Sequence, residues 1–98
     1  MIVITRHAPL VEYLHEIGII DDTARVIAHA APDDVRGQHV IGVLPLSLAA
    51  LCASVTDVPL SLTMDDRAAM QRGDLPIDRL REIAGAPVTY IVTVQVPA

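Results

Sequence analysis

Ile2-Val3-Ile4-Thr5, then Arg6-His7-Ala8-Pro9, then the apolar-periodic run from Leu10 to Ile17, is the stretch on which the fold turns. Four residues rich in β-branched side chains read as a buried strand. The proline that follows suits a helix's first turn, where it leaves no amide unpaired. Thr5, Arg6 and His7 therefore fall where a strand hands over to a helix N-terminus. In open α/β sheets ligands bind beyond the carboxyl ends of the strands, and the free amides and dipole of a helix start favour anions. A cation and an imidazole at that place point to a phosphate or carboxylate site. An isolated junction of this kind is more often a polar turn; a second junction built the same way raises the functional reading.

That second junction is His39-Val40-Ile41-Gly42-Val43-Leu44, an apolar strand typical of one covered on both faces, followed by Pro45 and a helix from Leu46 to about Ser54. Only Ser47 and Ser54 interrupt the apolar surface of that helix, and a helix apolar all round is buried all round. The sheet can cover one side, and a second copy of the chain or the remaining helices cover the other. Elsewhere, Leu10, Val11, Leu14 and Ile17 recur at helical spacing, and Gly18 stops that helix. Arg25 to Ala30 is expected to be a short strand, with a turn-rich loop after it from Pro32 to Gly37. Val58 to Thr63 is expected as a proline-containing edge strand, followed by a polar helical turn ending in Arg72-Gly73. A helix from Pro76 to Ala84 and a closing strand from Val88 to Val96 complete the chain. This order predicts one domain over residues 1–98, a three-layer Rossmann-like α/β fold with a mostly parallel sheet.

Ninety-eight residues lie near the lower end of what buries a good core alone. The chain is 52% apolar but only 2% aromatic, an excess of aliphatic surface that favours a homodimer. A net charge of −5 argues against long nucleic acid as a partner, which needs a basic face, but not against a small anion in a local pocket. All seven basic residues are arginine, so Schiff-base chemistry and a phosphate-loop lysine are excluded. Cys52, alone in an apolar run, reads as a core residue in a cytoplasmic protein. No apolar run approaches the roughly twenty residues of a membrane span, and no targeting segment is expected.

No glycine-rich dinucleotide fingerprint occurs. His7, His15, His29 and His39 lack ligand spacing to one another or to Cys52, so neither a metal nor another cofactor is expected. The pairs Asp21-Asp22, Asp33-Asp34 and Asp65-Asp66 sit where aspartate caps amides. Ser47 has no assignable histidine and acid and reads as a hydrogen-bonding group at a helix start. The two junctions remain: if their strands are neighbours, Thr5, Arg6 and His7 face Leu44, Pro45 and Ser47 across one crevice, and Arg72, beside Gly73, closes over it. By chemistry, Arg6 is the candidate for stabilising negative charge and His7 for proton transfer.

At these residues the chain resembles a small CRISPR-associated family, the one designated Csx sixteen. Ile4-Thr5-Arg6-His7 with Val11-Glu12-Tyr13-Leu14 and Gly18, Val26-Ile27-Ala28-His29, and Arg72-Gly73-Asp74-Leu75 all carry the likeness. Its most specific part is Val40-Ile41-Gly42-Val43-Leu44-Pro45-Leu46 with Leu48-Ala49-Ala50. The family's usual His-Pro-Gly appears here as His7-Ala8-Pro9. The resemblance implies a type III CRISPR protein with a CARF-like fold: a dimeric, metal-independent ring nuclease that binds cyclic tetra-adenylate and cuts it, switching off an antiviral signal. Such cleavage would use each ribose 2′-hydroxyl as nucleophile on its own 3′-phosphate. The competing expectation is a non-catalytic module that binds the messenger, or a protein partner through the Leu46–Ala53 segment.

Overall fold

Five short strands, β1 (Ile2–Ile4), β2 (Arg25–Ile27), β3 (His39–Ile41), β4 (Ser54–Asp57) and β5 (Val88–Tyr90), form one sheet in the order β2-β1-β3-β4-β5. The computed structural model describes residues 1–96. β1 to β4 are parallel and β5 returns antiparallel to β4. The helices are α1 (Ala8–Glu16), α2 (Pro32–Val35), α3 (Leu46–Ala49), α4 (Met64–Arg72) and α5 (Ile77–Ile83). This is the mostly parallel α/β architecture of Rossmann-like type that the sequence predicts.

Alternation along the central strands builds the two faces. Ile2, Val40 and Val55 bury against Val35, Ala49 and Cys52, the side of α2 and α3. Their neighbours Val3 and Ile41 bury against Leu14 and Ile20, the side of α1. A third cluster, Tyr13, Leu75 and Leu80, fastens α5 and the end of α4 to the outside of α1. Chain order therefore runs outward from β1 in both directions, to β2 on one side and β3 on the other. The gap between β1 and β3 is the topological switch point, where α/β sheets of this order bind ligands beyond their strand ends.

Several boundaries differ from the sequence reading. β3 stops at Ile41 rather than Leu44: the Gly42 amide still donates to Thr56 O, but at φ +149° Gly42 bends the chain away beyond that bond. The apolar helix after Pro45 lasts one turn, and Ser54 belongs to β4, where β-branched Val55 and Thr56 pair with β3. That helix is not buried all round: Ala49 and Cys52 are in the core, but Leu46 is 75% exposed. Val58 to Thr63 is no strand. Pro59 cannot donate to a ladder, and the segment instead runs beside the end of α5, with Ser61 N–H donating to Ile83 and Gly85 N–H to Pro59. The expected loop at 32–37 contains α2, whose Asp34 carboxylate accepts from the Ala31 amide. The closing strand ends at Tyr90, leaving Ile91, Val94 and Val96 exposed.

Candidate functional site

The backbone of the first junction is held by its neighbours. Thr5 N–H continues the ladder by donating to Ile27 O, and the Thr5 hydroxyl accepts from the His7 amide at 3.1 Å. His7 caps the start of α1 with its ring turned inward, 5% exposed. The ring Nε2 lies 2.9 Å from Leu75 O. A carbonyl only accepts, so Nε2 donates to it, and Nδ1 is buried without a partner among the described residues. His7 thus pins the strand–helix turn to the loop between α4 and α5.

Beside this turn lies a cavity of about 600 Å³ whose walls include Thr5, Arg6, His7, Leu62, Arg67, Met70 and Arg72, with Gly73 at the end of α4. Its electrostatics follow from ion pairing. Arg25, Arg36, Arg72, Arg79 and Arg81 each face a carboxylate, whereas Arg6 and Arg67 have no ion-pair partner among the described residues. Both unpaired arginines line this one cavity.

Asp66, beside Arg67 in α4, is turned to α5. The Asp66 carboxylate takes two hydrogen bonds of 3.0 Å from Arg79 and one of 2.9 Å from the Thr63 amide, so its oxygens are occupied. Arg79, which bonds it from two nitrogens, is the chief reason its carboxyl sits far below the usual carboxylate range. In return the Asp66 amide donates to the Thr63 hydroxyl, a reciprocal cap that fixes the start of α4. Gly73, at φ +76°, ends the helix with Asp74 N–H donating to Ala69 O. Arg72 reaches the same cavity with its Nε held 3.0 Å from Asp74.

A second cavity, of about 560 Å³, shares Thr5, Leu62 and Met70 with the first. It occupies the switch point: Ile4, Ile41, Gly42 and Asp57 come from the ends of β1, β3 and β4. Its remaining wall is aliphatic, with Leu10, Leu14, Val58 and Leu60 prominent.

A family model described as "Putative CRISPR-associated protein (Cas_VVA1548)" matches residues 2–93. The chain belongs to this CRISPR-associated family. Comparison with curated proteins and with solved structures returns no match.

In this CRISPR-associated chain the structure brings Thr5, Arg6, His7 and Arg72 to one cavity. It does not bring Leu44, Pro45 or Ser47 there. β1 and β3 are neighbours, but beyond Gly42 the chain takes Leu44 into another groove with Val43, Leu46 and Tyr90, which meets the second cavity at Gly42, Val43 and Asp57. The one-turn α3 is also too short to offer an anion a helix dipole. The proton-transfer role expected of His7 meets a geometric obstacle, since one ring nitrogen is bonded and the other is sealed from solvent. Sequence reasoning missed Arg67 and Asp57. Arg67 lies in a segment that reads only as a polar helix, and Asp57 becomes a strand-end residue only once β4 is placed at Ser54–Asp57. Among the described residues no group of three or more His, Cys, Asp or Glu is placed to hold a metal, and no helix is long and apolar enough to cross a membrane.

Proposed function

We propose that this CRISPR-associated protein is a ring nuclease that binds cyclic tetra-adenylate and cuts it to linear oligoadenylates, lowering a type III antiviral signal. The observation that carries the proposal is the coincidence of Arg6 and Arg67, both without ion-pair partners among the described residues, on one cavity beyond the strand ends. A phosphodiester is the natural complement of such a pair, since guanidinium groups bind phosphate oxygens through fixed, charge-assisted hydrogen bonds.

In the reaction the ribose 2′-oxygen attacks its adjacent phosphorus, losing its proton. The bond from phosphorus to the 5′-oxygen breaks, and that oxygen takes up a proton. A 2′,3′-cyclic phosphate and a 5′-hydroxyl result. The chain contributes alignment of the 2′-oxygen with the leaving oxygen, and Arg6 stabilises the charge that grows on the phosphoryl oxygens. His7 acts by holding the Thr5–Ala8 turn against Leu75.

A homodimer belongs to the same proposal, because a two-fold axis lets two copies of one site face a symmetric ring. The surface that favours it is the groove of Val43, Leu46, Tyr90 and Val92 beside the β5 edge rather than the whole Leu46–Ala53 segment.

A second reading, a module that holds the messenger without cutting it, is favoured by the withdrawal of both His7 nitrogens from the cavity. Turnover decides between them. Purified protein incubated with cyclic tetra-adenylate is expected to give linear products, and Arg6→Ala to lose most of that activity while remaining folded. Ligand retained intact over many hours by the wild-type protein refutes the nuclease and supports the binding module.

A further inference from the structure

The cleavage proposed above moves two protons: one must leave the 2′-hydroxyl and one must reach the 5′-oxygen. The cavity that holds Arg6 and Arg67 offers no side chain to carry them. Its walls are arginine, threonine, glutamine, glycine and apolar groups, together with His7, whose ring is bonded at one nitrogen and sealed at the other. Asp57 borders the second cavity and the groove beside β5, and Arg6 lines neither. Arg6 does line another cavity, of about 420 Å³, on the β2 side of α1. Ala8, Val11, Glu12 and His15 form its helical wall and Val26 its floor. That cavity exists because α1 stops short of the sheet's edge. Val26 pairs with Val3 and so faces the side of α1, yet it is 46% exposed. Leu14 sets α1 on the sheet, and Tyr13 turns one flank of the helix to α5. At about 3.6 residues per turn, the opposite flank carries Ala8, Val11, Glu12 and His15. Side chains of a helix lean toward its N-terminus, which brings Glu12 and His15 toward the Arg6 end of the cavity.

We propose that Glu12 and His15 are the general base and general acid of ring opening, acting on a phosphate held by Arg6. The assignment rests on the nuclease reading and names the proton carriers that reading requires. Glu12 accepts the 2′-hydroxyl proton as the 2′-oxygen bonds to phosphorus. The bond from phosphorus to the 5′-oxygen breaks, and that oxygen takes its proton from the His15 imidazolium. Protonated Glu12 and neutral His15 then exchange with water, so nothing else is consumed. The entering and leaving oxygens lie roughly in line on opposite sides of phosphorus, so the two proton carriers stand apart. Residues three apart on a helix hold their Cβ atoms about 5–6 Å from one another, a spacing that lets two side chains reach either side of one phosphate. A carboxylate is an acceptor, and imidazole is the side chain whose charge changes nearest neutral pH, so the base is Glu12 and the acid His15. Neither is in an ion pair among the described residues. Few charges surround them. Arg6 stands at the head of the cavity, and β2 turns Val26 to it while Arg25 pairs with Asp34 on the other face. Asp21 follows α1, its carboxyl held below the usual range chiefly by Thr23 and in small part by His15. Glu16 is tied to Arg81 on the α5 flank.

The test is the pH dependence of kcat and KM for cyclic tetra-adenylate, measured on the full chain from about pH 4 to about pH 9. Wild type is expected to give a bell. Glu12→Gln should lower kcat about 100-fold or more with KM little changed, and lose the acid limb. His15→Gln should lower kcat similarly and lose the alkaline limb. Glu16→Gln, on the other flank of α1, should keep the wild-type profile. A ring with sulfur in place of each 5′-bridging oxygen separates the roles, because a thiolate leaves without being protonated. On that ring His15→Gln should approach the wild-type rate while Glu12→Gln stays slow. A variant that keeps the wild-type rate and profile overturns its assignment, and a His15→Gln defect that persists on the sulfur ring overturns the acid role. A flat wild-type profile overturns the titrating pair even if a variant fails to fold. Ring cleavage that neither substitution slows sinks this assignment and spares the nuclease. Absence of cleavage by wild type sinks both.

Discussion

Gly42→Ala tests whether the β1–β3 gap is as tight as its geometry implies. A Cβ built on Gly42 lies 2.8 Å from Ile4 O and 3.3 Å from Ile4 Cβ, and both of those atoms are fixed by strand β1. Nothing flexible is available to move aside, so the strands must part by several tenths of an ångström. Overpacking of that kind costs about 1–3 kcal/mol, and the positive φ of +149° adds about 1–3 kcal/mol of strain for a residue with a side chain. The smaller unfolded-state entropy of alanine offsets about 0.4–1 kcal/mol. Mid-range values give a net loss of about 3 kcal/mol. In a domain this size that lowers Tm by about 12–24 °C, given roughly 4–8 °C per kcal/mol. Urea and thermal unfolding followed by circular dichroism measure it. Gly37→Ala is the control, because Gly37 also has a positive φ, +72°, but nothing within 4 Å of its Cβ position; the difference between the two variants isolates the collision. If Gly42→Ala unfolds within about 0.5 kcal/mol of wild type, or no worse than Gly37→Ala, the close approach of Gly42 to Ile4 is not a real constraint.

Three other outcomes are expected. The Asp66 carboxyl titrates lower in the folded chain than in the unfolded one, chiefly through Arg79, so its stabilisation is present above about pH 4 and is lost as pH falls further through the folded value. Urea midpoints taken from neutral pH down to about pH 3 should therefore drop steeply for wild type and less steeply for Asp66→Asn; parallel acid limbs would contradict the pairing. Cleavage of cyclic tetra-adenylate should persist in excess chelator and give 2′,3′-cyclic phosphate ends, whereas 5′-phosphate products by mass spectrometry would show the proposed chemistry to be wrong. Light scattering at micromolar concentration should report a dimer that Leu46→Glu dissociates, and a stable wild-type monomer of 10.5 kDa would count against the groove beside β5 as an interface.

Much of the fold was legible because it depends on local chemistry. The β-branched run Ile2–Ile4, the proline near the start of α1 and the glycine after its end announce the first strand–helix unit wherever the rest of the chain goes. The middle was harder for a physical reason. Leu46 to Ala53 is rich in strong helix formers, yet the helix ends after one turn because β4 must begin at Ser54 to pair with His39. Sheet pairing overrides propensity there, and propensity is all that a single segment displays. The site divides in the same way. Thr5, Arg6 and His7 were visible from position alone, but which arginines stay unneutralised depends on contacts between α4 and α5. Asp66 meets Arg79 thirteen residues away, and no pattern near Arg67 records that its side of α4 lines the cavity.

The same partition of charge governs how a ligand arrives. The chain carries a net −5, and five arginines are tied to carboxylates, so from a distance the protein repels any polyanion. The attraction of Arg6 and Arg67 is felt only within about a Debye length, near 10 Å at 0.1 M salt. Capture of a phosphate ligand is thus slowed by the long-range field and rewarded only at the mouth of the cavity. Added salt weakens both, and the repulsion first. Association should speed up on going from very low to moderate ionic strength, the reverse of what a basic nucleic-acid binder shows. A long RNA would meet that repulsion along its whole length, whereas a small ring meets it only on approach.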